Sequence, residues 1–168
     1  MWYVIQVRSG MEDTIMKQCE KIIDPFVLQK SFIPRYEQEK KYQGAWHKEL
    51  KPLFPGYVFL VSEDKEALFF ALKKVPDLTK LLGTGEEVVA LTREEIQFLA
   101  RFGREKQIVE MSRGIMENDR VIVTEGPLKG NEGLIWKIDR HKRRAYLAVR
   151  MFGRTLETQV GLEIVAKK

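Results

Sequence analysis

The chain has 168 residues, of which 44% are hydrophobic and 32% charged, a composition typical of a folded globular protein rather than a disordered one. No apolar run reaches the roughly 18 residues that a transmembrane helix requires, which argues against a helical membrane protein. The net charge of +5 lies wholly in the last third: residues 1–105 carry 16 basic and 16 acidic side chains, and residues 106–168 carry 13 and 8. Such asymmetry indicates that the C-terminal part binds a polyanion, with nucleic acid as the first candidate.

The first elements predict a strand followed by a helix. Residues 2–7 are aromatic and β-branched, which favours a strand. Ser9 and Glu12 have the spacing of a capping box, and residues 15–23 place apolar side chains at helical steps. Cys19 lies in this apolar stripe and is predicted to be a core residue. Because it is the only cysteine, an intramolecular disulfide is excluded and a reducing cytoplasm is favoured.

A charged segment follows the second predicted strand, which covers residues 31–36. Residues 37–51 mix both signs of charge around a glycine, which predicts an extended hairpin or an exposed loop. Trp46 and His47 are unusual in a solvated loop, because an exposed Trp is costly unless it packs or binds. The alternatives are therefore a solvated loop and a segment that stacks on an unpaired base. The candidate nucleic-acid contacts here are Arg35, Lys40, Lys41, Trp46, His47 and Lys48.

The most apolar strand is predicted over residues 53–61, after a Pro-Gly turn. Tyr57 and Phe59 would share one face of this strand, and Val58 and Leu60 the other. Both faces therefore need to be covered. Two explanations stay open: a central strand lies between two layers of the fold, or a partner protein covers one face.

Two more helices are predicted before residue 104. Asp64 can cap the first, and Thr92 with Glu95 forms a capping box for the second. Between them, residues 79–82 and 88–91 are two short apolar runs on either side of a glycine turn at residues 83–85. That turn lacks the Lys-Ser/Thr of a phosphate-binding loop, so no nucleotide site is predicted. The element order predicts an α+β sandwich, in which helices cover an antiparallel sheet.

The C-terminal third has the pattern of a small β-barrel. Five short strands are predicted in fewer than 50 residues, and closure into a barrel would leave no exposed edge. These strands cover residues 120–123, 133–138, 145–151, 155–160 and 162–165. Glycines and a proline in this part oppose long helices. The predicted organisation is an N-terminal domain over residues 1–104, a linker over 105–117 and a C-terminal domain over 118–168.

Two motifs resemble one protein family. Phe54-Pro55-Gly56-Tyr57-Val58-Phe59 resembles a signature of the NusG family of transcription elongation factors, and several turns of the C-terminal part resemble a KOW domain. These turns are Asp119-Arg120-Val121, Gly126-Pro127, Glu132-Gly133 and Phe152-Gly153-Arg154. The resemblance implies an NGN-type antiparallel sheet with flanking helices, linked to a small KOW β-barrel. It also implies that the charged segment 37–51 lies near the upstream DNA fork.

The resemblance further implies that the N-terminal domain docks on the clamp helices of RNA polymerase. The candidate polymerase-binding residues are Trp2, Tyr3, Phe54, Pro55, Tyr57 and Phe59. Aromatic side chains of this kind carry much of the binding energy of protein interfaces.

A basic cluster is the strongest signal for nucleic-acid binding. Residues 137–154 hold seven Lys or Arg side chains against one Asp, with aromatic residues interleaved. The alternative is a solvated barrel turn. The candidate RNA-binding residues are Lys129, Lys137, Arg140, His141, Lys142, Arg143, Arg144, Arg150 and Arg154.

The basic turn departs from general members of the family, which usually carry more acidic residues there. It resembles the specialised antiterminators of the RfaH and LoaP types, and so implies binding to an RNA hairpin in a transcript leader. The alternatives are a general NusG whose KOW domain contacts the ribosome or Rho, and a ribosome-associated KOW protein. No metal-ligand spacing or nucleophile–base pair is found, so no cofactor and no enzymatic activity are expected. We expect a cytoplasmic monomer.

Overall fold

The computed structural model describes residues 1–76 and 89–168. The short apolar run at residues 79–82 and the glycine turn at 83–85 lie outside the described residues. The chain divides into two compact units. The first comprises Met1–Ile33 and Pro55–Ile96, and the second comprises Pro34–Phe54 and Gln97–Lys168. Within the described ranges the fold is mixed, with three α-helices and three sheets.

The first unit is built on a four-stranded antiparallel sheet in the order β2-β5-β1-β6. Its core cluster combines β1 and β5 side chains with those of α1 and α2, so the two helices cover one face of the sheet. None of the helices described is long and apolar enough to cross a membrane. The bounds are β1 Trp2–Gln6, α1 Glu12–Ile22, β2 Lys30–Phe32, β5 Tyr57–Val61, α2 Lys65–Leu72 and β6 Val89–Ala90.

Two of the three predicted helix caps are confirmed. The Asp64 side chain accepts a hydrogen bond from the Ala67 amide, 3.0 Å away, at the start of α2. At the start of α3, Arg93–Gly103, the Glu95 carboxylate accepts from the Thr92 amide at 2.8 Å, and the Thr92 hydroxyl accepts from the Glu95 amide at 3.2 Å. This reciprocal pair is a capping box.

The capping box predicted for Ser9 and Glu12 is wrong. Helix α1 begins at Glu12 after Met11, with no side-chain cap. The buried Glu12 carboxylate instead accepts hydrogen bonds from the amides of Gly10 at 2.7 Å and Gly56 at 2.8 Å. Gly56 has a φ of +88°, and a Cβ there would lie 3.1 Å from the Val7 carbonyl oxygen. The local sequence spacing could not reveal that a turn 44 residues away would take this carboxylate.

The second unit contains a charged hairpin, which confirms the hairpin alternative for residues 37–51. Strands β3 (Arg35–Tyr42) and β4 (Ala45–Pro52) pair antiparallel, and β7 (Ile108–Val109) pairs parallel with β3. Gln43 and Gly44 form the turn with φ values of 53° and 75°. A two-residue turn with positive φ at both positions matches the twist of the paired strands.

The remaining strands of the second unit form a five-stranded sheet in the order β10-β11-β12-β8-β9. Their bounds are β8 Ser112–Glu117, β9 Arg120–Glu125, β10 Ile135–Asp139, β11 Arg144–Met151 and β12 Arg154–Lys167. Strands β12 and β8 pair parallel, and the other neighbours pair antiparallel. Residues 118–168 thus consist of strands, turns and one short 3₁₀ turn, as the glycine content predicted.

The prediction of two separate strands over residues 155–165 of this sheet is wrong. Residues 155–160 and 162–165 belong to one strand, because Gly161 continues it instead of turning; a Cβ there would lie 2.7 Å from the Glu37 carbonyl oxygen. Residues 112–117, which were assigned to the linker, form β8 and pair on both sides. The Ile122 backbone lies so close to Gly114 of β8 that a Cβ would not fit there. A glycine in the middle of the segment made its sequence less typical of a strand. The predicted domain boundaries themselves stay a prediction.

Candidate nucleic-acid interface

Six residues at the junction of β10 and β11, Asp139 to Arg144, form what we call the basic turn. The Asp139 carboxylate accepts a hydrogen bond from the Lys142 amide at 3.0 Å, and Arg143 closes the turn with a φ of 53°. The Lys142 N–H is the main cause that holds the pKa of Asp139 below its ordinary value of 3.8, and the positive charges of Lys142 and His141 add to it. The single acidic residue of the cluster therefore stabilises the backbone of the turn.

The side chains of Arg140, His141 and Lys142 are exposed at the tip of the basic turn. Within residues 1–76 and 89–168, no carboxylate lies within the 4.0 Å of an ion pair from any of these three side chains. Asp139 is the acidic neighbour whose charge acts on Lys142 and His141, and no described carboxylate forms a close ion pair with any of the three. The cations Arg140 and Lys142, with the His141 ring between them, are suited to bind phosphates.

Arg143 belongs to the same turn but has a different environment. Its guanidinium lies 3.5 Å from the Glu39 carboxylate and 3.7 Å from the Glu163 carboxylate. The guanidinium carbon also lies 3.9 Å from the centroid of the Trp46 ring. Arg143 thus contacts three side chains of the same unit, and these contacts link the basic turn to the charged hairpin.

Arg144 is half-buried beside Tyr36, and its Nε has no hydrogen-bond partner among the described residues. Burial raises the pKa of Tyr36 above its ordinary value of 10.0, and the positive charge of Arg144 opposes this increase. The guanidinium therefore lies near a neutral phenol rather than a carboxylate.

The other candidate RNA-binding residues surround the basic turn. Lys137 lies on β10 with its ammonium 5.3 Å from the centroid of the Tyr146 ring. Exposed side chains on the loops and strand ends are those of Lys129, Arg150 and Arg154. The structure therefore brings Lys137 and the basic turn together, while the remaining basic residues are spread over the sheet.

The hairpin residues are largely engaged with one another. His47 stacks on Tyr42 with ring centroids 3.7 Å apart, and its Nε2 lies 3.2 Å from the Tyr42 carbonyl oxygen. Trp46 is half-buried and lies against Arg143. Lys48 lies 4.0 Å from Glu37. Trp46 and His47 thus have packing partners, which is one of the two conditions under which a Trp is tolerated in such a segment. Of the remaining candidates, Lys40 and Lys41 are exposed and Arg35 is half-buried.

Within the first unit, the candidate polymerase-binding residues lie on both faces of the sheet. Tyr3 belongs to the core cluster under the helices, whereas the alternation of β1 and β5 places Trp2 and Phe59 on the opposite face. In the first unit, Tyr57 and Phe59 are buried and Pro55 is exposed. Phe54 lies in the second unit, edge-on to Phe152 at 6.2 Å.

An aromatic row crosses the sheet face opposite α1, and it includes a residue that the sequence analysis missed. Phe32 packs edge-on against Trp2 at 5.0 Å and stacks on Phe59 at 5.3 Å. Phe32 pairs directly with Phe59 across β2 and β5, so only the strand register could identify it. Lys30 lies 5.5 Å from the Phe32 ring centroid, at the end of the row.

The described residues contain no grouping of three or more His, Cys, Asp or Glu side chains that could hold a metal ion. Cys19 is fully buried in the core of the first unit, as predicted. Burial raises the pKa of its thiol to about 12, which keeps it protonated and unreactive near neutral pH.

Comparison with known proteins gives a consistent assignment. A family model described as "Transcription termination factor nusG" matches residues 1–100. The transcription termination/antitermination protein NusG of Staphylococcus epidermidis is 25% identical over 174 aligned positions, which cover 99% of this chain and 94% of that protein. The corresponding protein of Staphylococcus carnosus is 24% identical with the same coverage.

A solved structure described as "Domain interaction in Thermotoga maritima NusG" has a similar fold, with a TM-score of 0.56 and 23% identity. It covers 97% of this chain and 93% of that one. The family model alone spans more than half of the sequence, and the relatives match along its whole length. The chain therefore belongs to the NusG family of transcription termination and antitermination proteins.

Proposed function

We propose that this chain is a non-catalytic transcription elongation and antitermination factor of the bacterial cytoplasm, which uses no cofactor. It docks on the clamp helices of RNA polymerase through the first 104 residues, and it binds RNA through the basic turn. The observation that carries RNA binding is a group of three exposed basic or histidine side chains with no close ion pair to a described carboxylate: Arg140, His141 and Lys142. Membership of the NusG family supports the polymerase partner.

The RNA proposal follows from the distribution of charge. Residues 106–168 hold the entire net charge of +5, and the exposed part of the basic turn lies at one end of the five-stranded sheet. Phosphates bound there would release condensed counterions. If about four phosphates are neutralised, the logarithm of the affinity falls with the logarithm of salt concentration with a slope of roughly −3 to −4.

The test uses Arg140→Ala/Lys142→Ala in the full chain, because neither side chain has a described ion pair to lose. The double variant is expected to bind an RNA hairpin more weakly and to reduce the salt slope by roughly 1.4 to 1.8, as two fewer phosphates are contacted. Lys17→Ala/Lys21→Ala on α1 removes the same charge from the first unit and is the matched control. Equal affinities for the wild type and the basic-turn variant would reject RNA binding by this turn.

The antiterminator types that bind a leader hairpin are favoured over a general factor because the turn holds one acidic residue among its basic ones. A leader hairpin compared with a scrambled RNA of equal length tests this finer assignment. Preference for the hairpin supports the specialised type. Equal binding of both RNAs favours the alternative, a general NusG whose C-terminal domain contacts the ribosome or Rho.

Polymerase docking is proposed on the half-buried Trp2 and the exposed Pro55. Phe32 and Phe59 are buried, and Phe32 packs against Trp2 and supports its position. Trp2 is half-buried and forms one end of the aromatic row, so Trp2→Ala removes a large aromatic side chain with less damage to the core than Tyr57→Ala. Loss of such an interface residue costs about 2 kcal/mol or more in binding. A pull-down on immobilised RNA polymerase measures it, and undiminished binding by a folded Trp2→Ala protein would remove this surface from the proposal.

A further inference from the structure

Trp136 is an exposed aromatic residue on an edge strand. Strand β10 is the first strand of the five-stranded sheet and pairs only with β11 there. The pairing passes from Ile135 opposite Leu147 to Lys137 opposite Tyr146, so Trp136 is an extra residue without a partner of its own. Such a bulge changes the direction of a side chain and of the strand edge. The Trp136 side chain is 55% exposed, which is unusual for the largest apolar residue type.

Trp136 and Tyr146 form an aromatic pair on this edge. Their ring centroids are 6.0 Å apart, and their planes are inclined by 54°. The ammonium of Lys137 lies 5.3 Å from the centre of the Tyr146 ring. Packing against Tyr146 on one side limits the motion of the indole, while the rest of its surface stays open to solvent. The indole is thus held in place as a flat surface, next to a positive charge.

This aromatic pair is continuous with the basic turn. Lys137 also lines a shallow groove with Ile138, Asp139, Arg140, His141 and Ile164. A ligand that contacts Trp136 can therefore extend past Lys137 onto the cations of the turn. A single exposed apolar residue would need no explanation. A bulged Trp beside cations without described carboxylate partners combines a stacking surface with phosphate-binding groups.

We propose that Trp136 stacks on an unpaired nucleobase of the bound RNA, while the flanking phosphates contact Lys137 and the basic turn. The inference rests on the RNA binding proposed above and specifies that the RNA must present at least one unpaired base at this edge. Nucleic acid is the ligand class that carries flat aromatic groups and negative charges in alternation along one chain. Stacking between a base and an aromatic side chain is largely independent of base identity.

The experiment compares two RNA hairpins in binding to the full chain. One has an unpaired uridine loop, and the other has the same stem and the same number of phosphates with abasic sites in the loop. Trp136→Ala is expected to lose roughly fivefold to a hundredfold in affinity for the uridine loop and to leave affinity for the abasic loop unchanged. Trp136→Phe retains a stacking ring and is expected to keep most of the affinity.

The control is Ile122→Ala, which removes an exposed apolar side chain from β9, the opposite edge strand of the same sheet. It is expected to bind both hairpins like the wild type. Binding of the uridine loop is also expected to quench Trp fluorescence in the wild type and to lose that quenching in Trp136→Phe.

Failure of this inference differs from failure of RNA binding. If Arg140→Ala/Lys142→Ala weakens both hairpins while Trp136→Ala binds both like the wild type, the base-stacking role is rejected and phosphate binding stands. If Trp136→Ala weakens the uridine and abasic loops equally, Trp136 contributes to the surface without stacking on a base, and the inference is also rejected. If the wild type binds neither hairpin, both proposals fail.

Discussion

The charged hairpin and the basic turn are both rich in charged residues but differ in the balance of charge and in environment. In the hairpin, positive and negative side chains alternate along paired strands, and the pairs Lys48–Glu37 and Lys51–Glu49 lie within 4.0 Å and 3.5 Å. In the basic turn, the carboxylate of the one acidic residue, Asp139, accepts a hydrogen bond from the Lys142 backbone amide. Mixed charge on a hairpin can be neutralised across the strands, whereas a run of one sign in a tight turn cannot.

Arg143 shows that membership of a basic run does not decide the role of a residue. It lies between two carboxylates and the Trp46 ring, whereas Arg140, three residues earlier, is exposed and has no such partner among the described residues. The same residue type therefore serves the packing of the second unit at one position and is open to a ligand at the other. Variants of these two arginines separate stability from binding.

The largest expected effect is on stability. Arg143→Ala removes the cation that contacts the partly buried Glu39 carboxylate and the Trp46 ring, and it leaves Glu163 with Arg113 alone. The free energy of unfolding should therefore fall by about 1–3 kcal/mol. Arg140→Ala should change it by about 0.5 kcal/mol or less, as for surface substitutions in general. Urea unfolding followed by circular dichroism measures both. Arg143→Lys should recover only part of the loss, because an ammonium cannot bridge two carboxylates and cover a ring as a planar guanidinium does. Equal stabilities of Arg143→Ala and Arg140→Ala would contradict the distinction.

Local signals in the sequence predicted local structure well. The Thr92 and Glu95 capping box and the Asp64 cap involve residues three apart, and both formed as expected. The apolar spacing around Cys19 correctly placed it in the core. The hairpin followed from a glycine between two charged segments. In each case the interaction that determines the structure is contained in a few consecutive residues.

Contacts between distant segments account for what the sequence could not predict. Glu12 bonds to Gly56 instead of completing a capping box. Gly161 lies inside a strand, where the Glu37 backbone leaves no room for a Cβ. Phe32 joins the aromatic row through a register that no local pattern contains. The basic cluster was visible from its composition, but the division between Arg143 and its exposed neighbours depends on Glu39, Trp46 and Glu163, which come from other strands.

A smaller effect is expected from the exposed lysines of the hairpin. Lys40→Ala/Lys41→Ala removes as much charge as Arg140→Ala/Lys142→Ala, and both variants are made in exposed positions of the second unit. If RNA is bound by the basic turn, the hairpin variant should bind the RNA hairpin with an affinity within about threefold of the wild type, since only long-range screened attraction is lost. A binding titration at two salt concentrations measures this. A hairpin variant that loses as much affinity and salt slope as the basic-turn variant would extend the RNA-binding surface to the hairpin and contradict the comparison.

The smallest expected effects are on stability at the extremes of pH, one at low pH and one at high pH. In the basic turn, the pKa of Asp139 is held below 3.8 by the Lys142 N–H. Its stabilising contribution is therefore complete above that ordinary value and is lost as the pH falls through the lower pKa of the folded protein. In the hairpin, burial raises the pKa of Tyr36 above 10.0. The stabilising contribution of the neutral Tyr36 phenol is complete below pH 10.0. It is lost as the pH rises through the higher pKa of the folded protein.

Two titrations distinguish the environments. The amide resonance of Lys142 in NMR spectra should shift with a midpoint below 3.8, because its hydrogen-bond acceptor becomes protonated there. The ultraviolet absorbance of phenolate, taken as the difference between the wild type and Tyr36→Phe, should rise with a midpoint above 10.0. The turn would then keep its hydrogen-bonded shape throughout the pH range in which phosphates are bound, since Asp139 stays ionised there. A Lys142 midpoint above 3.8 would mean that Asp139 does not hold the turn, and that the cations at its tip are not fixed by the backbone hydrogen bond.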